Sequence, residues 1–165
     1  MTRAYIAFGG NLDDVPACFR SARRHVAQLS DTRVLQSSLL YRTPPLGPPG
    51  QPDYHNAVIA IDTGLAALAL LDALQRIEHV HDRVRAERWG PRTLDLDIIA
   101  INGVSCDSPQ LTLPHPEMQR RQFVLRPLCD IAPNWQHPRL NATAAMLLQM
   151  LLQRGETPLA EGVKW

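Results

Sequence analysis

The sequence predicts an α+β fold of the split β-α-β kind, an antiparallel-rich sheet with helices mainly on one face and extra elements at the C-terminal end. Three observations lead there. Apolar runs and apolar alternation place strand, helix, strand, strand, helix and strand in that order between residues 4 and 101. The length, 165 residues, is close to the ~150 of one domain, so residues 1–165 read as a single domain. Apolar residues make up 45% of the chain, and 17 basic against 16 acidic residues leave a formal charge of +1. That balance excludes a disordered polyelectrolyte and argues against attachment to DNA or membrane by bulk charge.

The elements follow in order. Ala4-Tyr5-Ile6-Ala7-Phe8 is a buried strand that stops at Gly9-Gly10-Asn11. Asp13 and Asp14 offer an N-cap and Pro16 suits a first helical turn, so a helix runs from there to residue 29. Residues 34–42 form a second strand, with Ser37, Ser38 and Tyr41 at mixed exposures. Pro44, Pro45, Pro48, Pro49 and Pro52 then fall within nine positions, interleaved with Gly47 and Gly50, which excludes helix and central strand. Residues 56–63 read as a third strand. The clearest helix is 65–79, with Leu68, Leu71, Leu74 and Ile77 three apart on one stripe.

The stretch 82–92 is polar and arginine-rich, and 93–101 is a strand turned by Asn102-Gly103. Residues 109–118, with Pro109, Pro114 and Pro116, read as loop, and 123–131 as mixed and apolar. A last amphipathic helix covers 142–154 and is capped by Gly155. Its Met146, Leu147, Met150 and Leu151 read as core or sheet cover, with a dimer face as the alternative. His79 and His81, two apart, do not share a helix face and read as a solvated helix end.

Absences narrow the chemistry. Cys18, Cys106 and Cys129 are scattered with no CxxC pair, so they read as inert thiols, not as a disulfide framework or a structural zinc site. Lys164 is the only lysine, which closes the P-loop and the protein-kinase routes to a nucleotide. No GxGxxG, HExxH or GxSxG is present. No apolar run approaches the ~18 residues of a membrane span, and residues 1–5 open no secretory pattern, so a cytoplasmic protein with no membrane partner is expected. Phosphates, if bound, must be met by arginines and a metal.

Leu94-Asp95-Leu96-Asp97-Ile98 supplies the acidic half of such a site. Strand alternation puts Leu94, Leu96 and Ile98 on one face and both aspartates on the other, roughly 6–7 Å apart. Two carboxylates on a rigid strand suit Mg²⁺, which takes few carboxylates and fills its other positions with water and phosphate oxygens. The plainer alternative is a half-exposed strand with charges facing water. Arg83, Arg85, Arg88 and Arg92 lie just upstream with Trp89 among them. They form either a solvated charge cluster or a polyphosphate clamp, guanidinium forks on non-bridging oxygens and a flat indole for a ring.

Tyr41-Arg42-Thr43-Pro44-Pro45-Leu46-Gly47, Gln51-Pro52-Asp53-Tyr54-His55-Asn56 and the run from Arg88-Trp89-Gly90-Pro91-Arg92 to Asp97 are together distinctive. With Gly9-Gly10-Asn11-Leu12 and Leu113-Pro114-His115, they closely resemble the 6-hydroxymethyl-7,8-dihydropterin pyrophosphokinase family of folate synthesis. The resemblance covers most of residues 4–135. It implies a ferredoxin-like fold and transfer of a pyrophosphoryl group from ATP, with attack of the hydroxymethyl oxygen on the β-phosphorus and release of AMP.

It also implies roles residue by residue. Asp95 and Asp97 take the place of the aspartates that bind two Mg²⁺ ions. Arg83 and Arg92 match arginines that contact the phosphates and support transfer. Arg85 and Arg121 match further nucleotide contacts, and Gln75, Glu78, Trp89, Ile98, Thr112 and His115 match residues around the ATP. The pterin pocket maps onto Thr43, Pro44, Leu46, Tyr54, Asn56, Trp89 and Phe123. Alternation turns the Ile98 side chain away from the aspartates, so any contact it makes with ATP is expected from its backbone. The chain departs from the family's usual pattern at Gly10, Gln110 and Pro116, all at the nucleotide edge.

A flat pterin suits stacking between Phe123 and an aromatic wall at Tyr54 or Trp89, with Asn56 bonding its ring edge. Residues 44–52 and 82–92 lack periodic apolar anchors and are expected to be mobile and to close over the substrates. A monomer acting on small molecules, with no nucleic-acid partner, is expected. The main rival is a nucleic-acid-binding module on the same ferredoxin-like fold, using the arginine loop and Trp89. A metal-dependent phosphodiesterase built on Asp95 and Asp97 is a third possibility.

Overall fold

The computed structural model describes residues 1–44, 49–81 and 93–165. Its main sheet is built from β1 (Thr2–Gly10), β2 (Thr32–Ser37), β3 (Tyr41–Thr43), β4 (Tyr54–Thr63) and β5 (Asp95–Ile101). The strands lie in the order β2-β4-β1-β5, with β3 also on β4, and these pairings are antiparallel. Helices α1 (Val15–Ala27) and α2 (Ala67–His81) connect β1 to β2 and β4 to β5. Each connection therefore spans a strand inserted between the two it joins, the split arrangement that the element order predicts.

Alternation along the strands sorts side chains into two cores. Ile6, Phe8, Ile59, Ile61, Leu96 and Ile98 face Phe19 and Val26 of α1 and Leu70, Leu74 and Ile77 of α2. Tyr5, Val58, Ala60 and Ala100 face the opposite way, against α3 (Gln122–Ile131) and α4 (Ala144–Gln153), whose Val124, Leu125, Leu128, Leu147 and Leu151 are buried there. The two helices of the β-α-β units thus cover one face, and the C-terminal helices cover part of the other.

Local chemistry sets the ends. The Asp14 carboxylate accepts from the Ala17 amide at 3.1 Å and Pro16 sits in the first turn of α1, a cap worth about 1 kcal/mol. Thr143 caps α4 by accepting from the Met146 amide. At its other end Gly155 takes φ +98° while its amide reaches Leu152 and that of Glu156 reaches Leu151, the paired bonds of a Schellman turn. Between Tyr5 and Ile6 the register of β1 on β5 shifts, so that Ile99 is an extra residue. This bulge aims the Ile99 carbonyl at the His115 amide, 2.8 Å away.

Four local expectations are revised. The expected strand over 34–42 is broken into β2 and β3, because the Ser38 hydroxyl takes the Val58 amide (2.9 Å) that a backbone carbonyl would otherwise accept. The expected loop over 109–118 contains β7 (Thr112–Leu113), paired with β6 (Cys106–Asp107). Residues 123–131 belong to α3, which holds Pro127 in its interior. His79 is exposed as expected, but His81 is not a solvated end. Its Nδ1 meets the Ile77 carbonyl at 2.8 Å, its Nε2 meets the Ser21 hydroxyl at 3.0 Å, and its ring packs on His25. The short strands β8 (Gln136–His137) and β9 (Ala142–Thr143) pair ahead of α4.

The three cysteines are free and partly buried, and burial pushes the Cys18 and Cys129 thiols up to about 11, as inert thiols require. Among the described residues, no helix is long and apolar enough to cross a membrane.

Candidate active site

The sheet register gathers the residues that the sequence singles out. Tyr41, Asn56, Gly9 and Asp95 lie in one row across β3, β4, β1 and β5. Directly opposed residues share a face, so Asn56 and Asp95 stand on either side of Gly9. A Cβ on Gly9 would come 3.3 Å from Asn56 Nδ2 and 4.0 Å from Asp95 Cβ. Glycine therefore leaves bare backbone as a floor between an amide and a carboxylate. In the next row on this face Asp97 opposes Ala7, which opposes Val58. Thr43 opposes Tyr54, two residues from Asn56 and on its face. Asp97 is exposed and Asp95 half-buried, while Leu96 and Ile98 point into the core under α1 and α2.

The same face carries α3 and the segment before it. Arg121 precedes α3 and holds its guanidinium 5.7 Å from the centre of the Phe123 ring. His115, fixed to the bulge through its amide, accepts at Nδ1 from the Glu117 amide at 3.1 Å. That bond places the proton of the neutral ring on Nε2. Burial is the largest influence on His115 and lowers its pKa; Asp97 opposes it, Arg121 adds to it and Glu117 opposes it. These influences place Asp97 and Arg121 within electrostatic reach of the imidazole.

Two polar side chains anchor the rim. Asn11 is 2% exposed and donates from Nδ2 to the Pro52 carbonyl (3.1 Å) and to Gln51 Oε1 (3.3 Å). It thereby ties the end of the proline-rich segment to the end of β1. Glu78 of α2 accepts from the Leu96 amide at 2.7 Å, between the two aspartates on the edge strand. The sequence offered Glu78 for the nucleotide; a carboxylate three residues after the exposed Gln75 carried no sign of this backbone bond. Asn11 appeared in the sequence only as part of a turn motif, because polarity in a turn signals exposure and not burial.

Not all of the expected set is brought together. Gln75 is exposed on α2, the helix of the opposite face. Ile98 sends its side chain into the core, so only its backbone can meet a ligand. Thr112 lies on β7 beyond β5, and Pro44 is exposed at the end of β3. Leu46, Arg83, Arg85, Arg88, Trp89 and Arg92 lie outside the described residues, as do residues 45–48 and 82–92 of the two segments expected to close over the substrates.

Among the described residues no group of three or more His, Cys, Asp or Glu side chains is arranged to hold a metal. A cation at Asp95 and Asp97 would take its other positions from water and substrate oxygens, which is the habit of Mg²⁺. Two carboxylates on one face of a strand, one of them exposed, fit that demand.

Comparison with known proteins identifies the family. Residues 5–133 match the 7,8-dihydro-6-hydroxymethylpterin-pyrophosphokinase (HPPK) family. The 2-amino-4-hydroxy-6-hydroxymethyldihydropteridine pyrophosphokinase of Haemophilus influenzae is 48% identical over 132 residues, 80% of this chain and 82% of that protein. The protein of the same name from Pseudomonas aeruginosa is 48% identical over 136 residues, 82% of this chain and 84% of that one. Among solved structures, Plasmodium falciparum HPPK-DHPS wild type with pteroate superposes with a TM-score of 0.74 over 93% of this chain. Identity there is 14%, so the likeness concerns the fold, and this chain spans 43% of the length of that one.

Proposed function

The chain belongs to the 7,8-dihydro-6-hydroxymethylpterin-pyrophosphokinase family, and from that membership we propose how its residues carry pyrophosphate from ATP to the hydroxymethyl group of the dihydropterin. The observation that carries the proposal is the row Asn56–Gly9–Asp95, with Asp97 on the same face. It sets a hydrogen-bonding amide and a pair of carboxylates on opposite sides of a side-chain-free floor.

The pterin lies on the Asn56 side, its ring edge bonded by the Asn56 amide and by the end of β3 at Thr43 and Pro44, with Leu46 assigned to the same subsite. Its faces are covered by Phe123 and by Tyr54 or Trp89. The triphosphate lies on the Asp95 and Asp97 side. Arg83, Arg85, Arg92 and Arg121 take non-bridging oxygens, and His115 Nε2 offers a neutral donor beside them. Glu78 and the Ile98 backbone border the nucleotide at β5, and Gln75 and Thr112, on the elements that flank that strand, are assigned to the part of the nucleotide that extends past it. Mg²⁺, two ions, supplies charge neutralisation when bound at Asp95 and Asp97.

The hydroxymethyl oxygen then forms a bond to the β-phosphorus as the bond from that phosphorus to the oxygen of the α-phosphate breaks. AMP leaves, and the hydroxyl proton passes to solvent. Phosphoryl-type transfer asks little covalent work of a protein; positioning and charge neutralisation dominate, and rigid strands supply the first. No lysine is needed.

Residues 1–165 act as one domain, a monomer in the cytoplasm, with no nucleic-acid partner; the near balance of charge supports the last point. The test is AMP formation from ATP. Release that requires both hydroxymethyl-dihydropterin and Mg²⁺ is expected, and release without the pterin would point instead to a phosphodiesterase.

A further inference from the structure

After α4 the chain does not leave the fold but is laced back to it at two places. The first is α3. Gln122, 7% exposed in its first turn, donates from Nε2 to the Thr157 carbonyl (2.9 Å) and Glu156 Oε1 (3.3 Å), and its Oε1 accepts from the Leu159 amide (2.9 Å). The second is the break between β2 and β3. Val163 and Leu40 exchange both backbone hydrogen bonds, at 2.8 and 2.9 Å. Gly162 lies so close that a Cβ would come 2.6 Å from Leu39 Cβ and 2.9 Å from the Tyr41 ring. Trp165 donates from Nε1 to the Ser38 carbonyl at 2.7 Å. Its ring packs on Phe8 and Phe19, under the Arg23 guanidinium.

Segment 38–41 is held from α3 as well. Asp130 accepts from the Tyr41 hydroxyl at 2.6 Å, from the Leu39 amide at 3.1 Å and from Arg126 at 2.8 Å. Thr43, offered for the pterin edge, is two residues beyond Tyr41; Phe123, offered for its face, is one residue beyond Gln122. The tail therefore touches both walls of the proposed pterin subsite from behind.

We propose that residues 156–165 are a brace that sets the spacing between β3 and the first turn of α3, with Gln122, Gly162 and Trp165 as positioning residues of the pterin subsite. The inference rests on the assignment of Thr43, Asn56 and Phe123 to the pterin. A flat ring between two walls depends on their separation, since a gap of 0.5–1 Å forfeits roughly a quarter to a half of each dispersion contact. The brace holds that separation without touching the ligand.

Two variants test it. Val163→Pro removes the Val163 amide from the Leu40 bridge at an exposed side chain, and Trp165→Phe keeps a ring on Phe8 and Phe19 but has no N–H for Ser38. Each should raise the KM and Kd for hydroxymethyl-dihydropterin about tenfold, the loss that ~1.4 kcal/mol of contact produces. The KM for ATP and kcat should stay within about twofold, and Trp165→Tyr, equally unable to reach Ser38 as an indole does, should behave like Trp165→Phe. Unchanged pterin affinity in both variants, or equal shifts in every constant, overturns the brace. If Val163→Pro melts below the assay temperature, Trp165→Phe carries the same two outcomes. Asn56→Ala separates the causes. If it weakens pterin binding and the brace variants do not, the brace alone fails; if it too leaves binding intact, the subsite assignment fails and the brace with it.

Discussion

Asp97 is exposed between two buried neighbours, Leu96 and Ile98. Its side chain contributes nothing to the core, and a charge there is not needed for folding. Asp97→Ala should therefore lower kcat by at least about 100-fold, the scale of losing one electrostatic stabiliser in a transfer site, while the melting temperature changes by less than about 2 °C. Turnover of AMP and a circular-dichroism melt measure the two, and near-normal turnover would contradict the metal role. Tyr41 is the opposite case: buried, with its hydroxyl on Asp130. Burial, the hydrogen bond to Asp130 and the charge of Asp130 all push its pKa well above the usual tyrosine value. The phenol thus stays neutral in the fold while the unfolded chain ionises near ~10. Its stabilisation is complete below that pH and is lost as pH rises above it, because the native state then binds the extra proton. Melting temperatures between pH 8 and 11 should fall more steeply for the wild type than for Tyr41→Phe, and parallel curves would show that Tyr41 does not titrate with unfolding.

At the scale of elements, β5 is an edge strand of the sheet and has to be kept straight on its open side. Glu78 does part of this by accepting the Leu96 amide. Glu78→Ala should cost about 1–3 kcal/mol, the range for stranding a partly buried donor, and should lower kcat because Asp95 and Asp97 flank the released amide. Glu78→Gln keeps an acceptor and should recover most of the loss. A raised KM for ATP with unchanged melting temperature would instead make Glu78 a nucleotide contact only. Alternation alone made this strand legible, since Leu94-Asp95-Leu96-Asp97-Ile98 has one facing in a sheet; β1 and β4 were legible as apolar runs, and α1 and α2 from capping residues and an apolar stripe at helical spacing, whereas the break between β2 and β3 was not. α3 was not, because Pro127 within ten residues interrupts the helical pattern that Val124, Leu125 and Leu128 carry. β6 and β7 have two residues each and no period to read. The aspartate pair and Asn56 could be named from motif, but Gly9 as the floor between them became visible only with the register. The lacing of residues 156–165 had no signal in the sequence, since most of its hydrogen bonds use backbone groups and its side-chain contacts, from Glu156 and Trp165, follow no periodic pattern.

For the molecule as a whole, the decisive feature is one sheet shared by two cores. Val58 and Ile59, adjacent on β4, lie in different cores, so neither layer can lose its packing without exposing the strand that the other uses. The tail adds a second coupling, from α3 to the β2–β3 break. These connections predict one cooperative transition, although a chain of this size can unfold stepwise. Two tryptophans report the two layers separately: Trp165 packs on Phe8 and Phe19 in the first core, and Trp135 packs against the second. With Trp89 changed to Phe, urea unfolding followed in Trp135→Phe and in Trp165→Phe backgrounds should give the same m-value for both layers, and each should coincide with the loss of far-ultraviolet circular dichroism. Their midpoints will differ by whatever each substitution costs, so the comparison is between probes within one variant. Saturation with pterin at about 100 times its Kd should then raise the unfolding free energy by ~2.7 kcal/mol for both probes together. If the Trp135 signal moved and the Trp165 signal did not, the sheet would not be transmitting stability between its faces.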